Sequence, residues 1–144
     1  MYSILVFIHV ISAFLLGSFL ILPLMYKSLA KRAGDELKAS LKTIHHYTRF
    51  GHYALILLFI SGGWMVIGYS SYPSMLWVLL SLTLLLLIGA VIGMISKRLK
   101  TITHTENAEK ALQENISKLK TFGWLTFTLV IIAAFIMTNR HLFL

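Results

Sequence analysis

The sequence predicts an all-α membrane protein, a four-transmembrane-helix bundle with both termini on the outer side. Hydrophobic residues make up 58% of the 144 residues and charged residues only 12%, whereas a soluble domain carries about 25% charged residues. Four long apolar runs each have the length that crosses about 30 Å of hydrocarbon as a helix. Lysine and arginine are concentrated between these runs, and their distribution indicates the orientation.

The apolar runs place the predicted spans at residues 2–26, 50–69, 74–96 and 122–139 of a single domain. Strands of a membrane β-barrel would alternate in polarity and be about half as long. The first run lacks a basic leader and has too long an apolar stretch for a cleaved signal peptide, so we expect it to be a span. The outer connection SSYPS, residues 70–74, is short and uncharged, which predicts a tight hairpin.

The segments between the spans on the other side have helical patterns of their own. Thr105 is the predicted N-cap of the last helix, since acidic residues follow in the first turn and lysines come later. An apolar stripe then recurs at helical spacing along Ala108, Leu112, Ile116 and Leu119. We therefore expect the last helix to begin well before its apolar run, and the second helix to do the same after a break near Gly34.

The basic residues fall almost entirely on one side of the predicted bundle, which identifies that side as the cytoplasm of a cell membrane, and a bacterial plasma membrane is expected. Only Arg140 lies on the other side. The basic residues on the cytoplasmic side are Lys27, Lys31, Arg32, Lys38, Lys42, Arg49, Lys97, Arg98, Lys100, Lys110, Lys118 and Lys120. Topology explains the net charge of +8 without a nucleic-acid partner. The expected partners are the bilayer and anionic lipid at the basic segments.

Small residues indicate where helices approach one another closely. Gly89 and Gly93 form a small-xxx-small pair, and Gly62 and Gly63 lie next to each other in the second span. Such residues are typical of ordinary packing inside a bundle. A homodimer interface, or a contact within a larger membrane complex, is the alternative.

Several kinds of chemistry are excluded by composition. The chain has no cysteine, so it has no disulfides or thiolate ligands. No aspartate, glutamate, lysine or arginine lies inside any predicted span, which disfavours a proton-coupled transporter because such proteins need a group that binds the proton within the membrane. No carboxylate pair or nucleophile–histidine–acid set can be assembled at membrane depth. No catalytic residue is assigned, and whether the protein is an enzyme stays open.

Histidine is the remaining candidate for chemistry within the membrane. At 1.5 Å per residue, His9 lies about 7 Å to the outer side of the midplane and Met137 about 9 Å to the same side, with His141 one turn further along that stripe. If the first and last helices are neighbours, these side chains converge. Imidazole with thioether or a second imidazole suits haem iron or copper. In the alternative, a neutral His9 donates a hydrogen bond to a backbone carbonyl or a serine.

A second candidate site lies where the second helix enters the membrane from the cytoplasm. His45, Arg49 and His52 share one helical face, which could hold an anionic group such as a haem propionate or a lipid phosphate. A solvated turn among lipid headgroups is the alternative. His52 lies about 12 Å to the inner side of the midplane, and therefore roughly 20 Å from His9, too far for both to ligate one metal ion.

The first two spans resemble a known group of proteins. FIHVISAFLLGSFLILPLMY has a histidine early in the span, a glycine eight residues later and a proline near the inner end, and RFGHYALILLFISGGWM begins with arginine and an aromatic residue and leads to small residues. Both resemble the copper-resistance D-like membrane proteins and the related HemJ-type protoporphyrinogen oxidases. The resemblance implies haem or copper handling at His9. The third span lacks the lysine expected of the HemJ type, since Lys97 lies only at its cytoplasmic end.

The resulting hypothesis is a small integral membrane protein that binds or handles haem b, or alternatively copper, through His9. Met137 and His141 are the candidate second ligands. A cofactor-free structural or accessory subunit is the competing hypothesis, and an oxidase of the haem-synthesis type is the third.

Overall fold

The computed structural model describes residues 1–69 and 74–143, and within them all regular secondary structure is helical. This confirms the predicted fold class. In the described ranges, four helical segments are long and apolar enough to cross a membrane: Tyr2–Leu29, Gly34–Gly68, Met75–Thr103 and Ala108–Thr138. An even number of crossings puts both termini on the same side. The assignment of that side as the outer one stays a prediction, and the hairpin expected at residues 70–73 lies outside the described residues.

The first span is broken in the middle. Helix α1, Tyr2–Gly17, leads into a 3-10 turn, Ser18–Ile21, and then into α2, Leu22–Leu29. Pro23 explains the position of the break, because proline has no N–H to donate and its ring clashes with the carbonyl of Phe19, four residues earlier. The two halves of the span can therefore pack against different neighbours.

The second and fourth spans begin before their apolar runs, as predicted, and the third continues beyond its run, which was not predicted. Helix α3 is Gly34–Tyr69, α4 is Met75–Thr103 and α5 is Ala108–Thr138. The predicted N-cap was wrong: the side chain of Asn107, not Thr105, accepts the hydrogen bond from the Lys110 N–H at 3.1 Å. The Thr105 hydroxyl instead donates to the Thr101 carbonyl, because α4 ends just before it. The predicted apolar stripe of α5 is buried or packed against the core.

Because the first span is broken, its two halves pack against different helices. Helix α1 packs along α3, α3 along α4, and α4 along α5, while α2 and the 3-10 turn pack against α5. Two glycines of α4 face α3: a Cβ on Gly89 would lie 3.6 Å from Leu55 and one on Gly93 would lie 3.8 Å from His52 Nε2, both ordinary van der Waals distances. These two glycines therefore serve packing within the bundle.

The tightest part of the core lies toward the predicted cytoplasmic side. The largest side chains with less than 2% exposure are Phe19, Leu22, Tyr26, Leu29, Leu37, Leu41, Ile88, Ile92, Ile95, Leu99, Ile102 and Leu119. All of them come from the inner halves of the spans or from the helical extensions below. The outer half of the bundle packs less tightly, and His9 lies there.

Candidate functional site at the outer end of the bundle

His9 is held by a serine of the neighbouring helix. Its Nδ1 lies 3.0 Å from the Ser61 Oγ, across the contact between α1 and α3. The Ser61 hydroxyl donates its proton to the Leu57 carbonyl at 2.6 Å. A hydroxyl has one proton to donate, so the Ser61 oxygen accepts from His9 and Nδ1 carries the hydrogen. In the neutral imidazole the lone pair is then on Nε2, the nitrogen that could bind a metal or accept a hydrogen bond.

This geometry matches one alternative from the sequence, the neutral histidine that donates to a serine. It also matches what a metal-binding histidine needs, because ligating histidines usually donate their second ring N–H to a neighbouring acceptor. The hydrogen bond therefore does not exclude ligation by His9. It defines the nitrogen through which ligation would take place.

A cavity of about 130 Å³ opens beside His9 between α1, α3, α4 and the C-terminal segment. We call it the outer cavity. The residues that line it are Tyr2, His9, Gly62, Met65, Val66, Trp77 and Arg140. They contribute a phenol, an imidazole, a thioether, an indole and a guanidinium group. Gly62 leaves the room that His9 occupies, since a Cβ there would come within 3.1 Å of His9 Cε1.

Arg140 gives the outer cavity its positive charge. The residue belongs to a short 3-10 turn, Arg140–Phe143, that follows α5. Its guanidinium carbon lies 5.4 Å from the centre of the Trp77 ring, a cation–π contact. The Trp77 Nε1 in turn donates to the Ile136 carbonyl at 2.9 Å, so the indole is fixed to the end of α5. An anionic group is the ligand that this charge favours.

The structure places the predicted second ligands near the same end but not in the outer cavity. Met137 is half-buried on α5 and His141 is exposed, and neither lines the cavity with His9. At the outer end α1 packs along α3, while α5 packs against the lower half of the first span. No group of three or more histidine, aspartate or glutamate side chains that could hold a metal ion occurs in the described ranges.

The separation of His9 and His52 is smaller than the sequence predicted. His9 is level with Ser61, nine residues from His52 along α3, which corresponds to about 14 Å rather than about 20 Å. The prediction measured depth from the middle of each apolar run and ignored how α1 shifts relative to α3. The distance is still too long for one metal ion to bind both rings.

The cytoplasmic candidates lie on α3 as predicted. The His52 Nδ1 donates to the Thr48 carbonyl at 3.1 Å, which leaves Nε2 toward Gly93 on α4. His45 is partly buried, and its ring lies 6.2 Å from that of His46. Arg49 is exposed. These residues form a second polar region, separate from the outer cavity.

The sequence did not identify Ser61, which binds His9, or several residues that line the outer cavity. Ser61 and Met65 are ordinary members of an apolar run, and only the contact between α1 and α3 gives them a role. Trp77 is part-buried and donates a hydrogen bond to α5, a contact that the apolar pattern of the third span does not indicate. Arg140 carried one signal that could have been used, since it is the only basic residue assigned to the outer side.

Comparison with known proteins agrees with this architecture. Residues 3–141 match the model of a family described as "Predicted integral membrane protein (DUF2269)". The chain belongs to this family. Membership supports a small multi-pass protein embedded in a lipid bilayer. No curated protein and no solved structure matches the chain. The resemblance to copper-resistance D-like and HemJ-type proteins stays a prediction.

Proposed function

We propose that this protein binds haem b at the outer end of its bundle, with His9 as an iron ligand. The observation that supports the proposal most directly is the hydrogen bond from His9 Nδ1 to Ser61. It fixes the ring and leaves the Nε2 lone pair for a metal, the arrangement found at metal-binding histidines. Bound haem would supply one-electron redox chemistry. Electron transfer and the handling or delivery of the cofactor are both compatible with such a site.

The residues of the outer cavity fit one end of a haem group. His9 would hold the iron through its Nε2, and the Arg140 guanidinium would pair with a propionate carboxylate. The volume of about 130 Å³ is below the roughly 300–1,000 Å³ of ordinary ligand pockets. A whole porphyrin therefore requires the helices to separate at this end, where packing is least tight.

The proposal is tested by titrating the detergent-purified protein with haemin and following the Soret band. Wild-type protein is expected to bind haem, and His9→Ala should weaken binding by about 100-fold or more, because an axial ligand is lost. The matched control is His46→Ala, which removes an exposed histidine at the other end of α3. Equal binding by wild type and His9→Ala would contradict the proposal. Haem binding that survives in His9→Ala but not in His46→Ala would move the site to the cytoplasmic side.

A single copper ion is the second candidate ligand. Met65 lines the outer cavity with His9, and a thioether with an imidazole suits Cu(I). The cavity volume accommodates one ion without helix separation, whereas the charge of Arg140 opposes a cation. The two ligands respond differently to mutation. Met65→Leu should weaken copper binding, and Arg140→Gln should weaken haem binding while strengthening copper binding.

A further inference from the structure

A group of cationic and titratable side chains meets where α3 and α4 leave the membrane on the predicted cytoplasmic side. Gly89 of α4 lies against Leu55 of α3 and Gly93 lies against His52, and the same antiparallel register places His45 opposite the end of α4. Burial lowers the pKa of His45, and the nearby positive charges of His46, Arg49, Lys100 and His104 lower it further. We call His45, Arg49, Lys100 and His104 the inner basic cluster. His45 is partly buried, whereas the side chains of Arg49, Lys100 and His104 are exposed. The cluster therefore has both an enclosed and an open side.

The stretch of α3 around His45 and Arg49 and the last turn of α4 contain no acidic residue, and the nearest acid along the chain is Glu106, two residues after His104. The five acids lie at positions 35, 36, 106, 109 and 114, and the ion pair recorded in the described ranges joins Arg32 to Glu36, away from the cluster. The preference for positive charge in cytoplasmic segments explains the sign, and the C-terminal dipole of α4 stabilises Lys100 and His104. Neither effect explains why α3 brings Arg49 and His45 to the same place.

The His45 ring supplies a second, independent observation. Its Nδ1 is buried from solvent and makes no hydrogen bond within the part of the chain that the structure describes. A buried polar atom without a partner costs free energy. Turning the ring so that this nitrogen faces the open side of the cluster would let it donate a hydrogen bond to an oxygen of a bound anion, and the anion would also reduce the repulsion among the surrounding cations.

We propose that the inner basic cluster binds a phosphate group, with Arg49 and Lys100 pairing with its charge and His45 donating to an oxygen. Guanidinium binds phosphate through two parallel hydrogen bonds and ammonium binds it as a point charge. His45 lies five residues before the apolar run of α3, about 7 Å below it, at the depth of lipid headgroups. The phosphate would belong to an anionic phospholipid or be free inorganic phosphate. The site is independent of haem binding at His9.

The test measures phosphate binding by full-length, detergent-purified protein in two ways. Native mass spectrometry compares the retention of phosphatidylglycerol with that of phosphatidylcholine, and thermal unfolding compares inorganic phosphate with chloride at equal ionic strength. The site variant is Arg49→Gln with Lys100→Gln. The control variant is Lys31→Gln with Lys118→Gln, which removes the same charge from exposed cytoplasmic positions. If the site variant does not fold, Arg49→Lys replaces it, since lysine keeps the charge and loses the paired hydrogen bonds.

The proposal predicts that the site variant weakens binding by about tenfold or more, while the control stays within about twofold of wild type. Retention of phosphatidylglycerol that millimolar phosphate does not displace would assign the site to a lipid headgroup. Stabilisation by inorganic phosphate without selective lipid retention would assign it to free phosphate. Equal losses in the two variants would overturn the proposal, as would the absence of any selectivity for phosphatidylglycerol or phosphate.

Discussion

Ser61 determines which nitrogen of His9 is available. Its hydroxyl proton is committed to the Leu57 carbonyl, so the oxygen accepts from Nδ1 and the lone pair of the neutral ring is on Nε2. A polar pair of this kind inside a membrane also contributes to the association of α1 with α3. One serine thereby links helix packing to the proposed chemistry.

Replacing Ser61 by alanine tests this link. Loss of the Ser61 hydroxyl removes the acceptor that orients the His9 ring, and we expect haem affinity to fall by about 10- to 100-fold, less than in His9→Ala. The measurement is the same haemin titration. Ser81→Ala is the matched control, because the Ser81 hydroxyl is buried on α4 and makes no hydrogen bond in the described structure. An affinity in Ser61→Ala equal to that in Ser81→Ala would show that Ser61 does not orient the ligand.

The first span and α3 are joined by an aromatic contact at the break. The Phe19 ring stacks on Tyr47 with 4.7 Å between centroids, and the Tyr47 hydroxyl donates to Ser18. Phe19 also covers Gly51, where an added Cβ would clash with the end of the Phe19 ring. The 3-10 turn is therefore held against α3 by a ring that only glycine can accommodate.

Alanine at two glycines of α3 should have opposite effects on stability. Gly51→Ala forces Phe19 out of a tightly packed position, which we expect to cost about 1–3 kcal/mol. Gly63→Ala meets nothing within 4 Å, so the better helix propensity of alanine should stabilise the protein by roughly 0.5–1 kcal/mol. Unfolding in sodium dodecyl sulfate, followed by circular dichroism, measures both. A Gly51→Ala variant as stable as Gly63→Ala would contradict the packing at Phe19.

The elements were more predictable than their contacts. Burial in lipid requires long apolar runs, and these can be read directly from the sequence. The distribution of lysine and arginine, which predicts the orientation, can be read in the same way. The break at Ser18–Ile21 was not predicted, although Pro23 could have indicated it. The neighbours of His9 could not be read from the sequence, because Ser61 and Met65 acquire a role only when α1 packs along α3 and not against α5.

At the scale of the whole molecule, the described residues divide into an inner half, on the predicted cytoplasmic side, that holds the fully buried large side chains, and an outer half that holds none of them. The outer end contains the cavity with His9 and Arg140. The proposed haem site is therefore at the end that has none of the fully buried large side chains. The phosphate site is at the opposite end, where positive charge is concentrated.

Single-cysteine labelling tests the orientation of the whole molecule, and the absence of native cysteine makes the experiment direct. Ser3→Cys in intact cells should react with a membrane-impermeant maleimide, because the N-terminus is predicted to lie outside. Ser117→Cys, an exposed position on the cytoplasmic part of α5, should react only after the membrane is permeabilised. If Ser117→Cys reacts in intact cells and Ser3→Cys reacts only after permeabilisation, the basic segments lie outside. The two proposed sites would then exchange sides.

The absorption spectrum of the protein as purified, oxidised and then reduced with dithionite, tests the central claim most directly when it is combined with metal analysis. The account predicts a Soret band, sharp α and β bands on reduction, and iron in the wild type, all lost in His9→Ala and retained in His46→Ala. A colourless, metal-free protein that stays colourless with excess haemin would contradict it. Such a result would favour a cofactor-free accessory subunit whose histidines serve helix packing and the membrane interface.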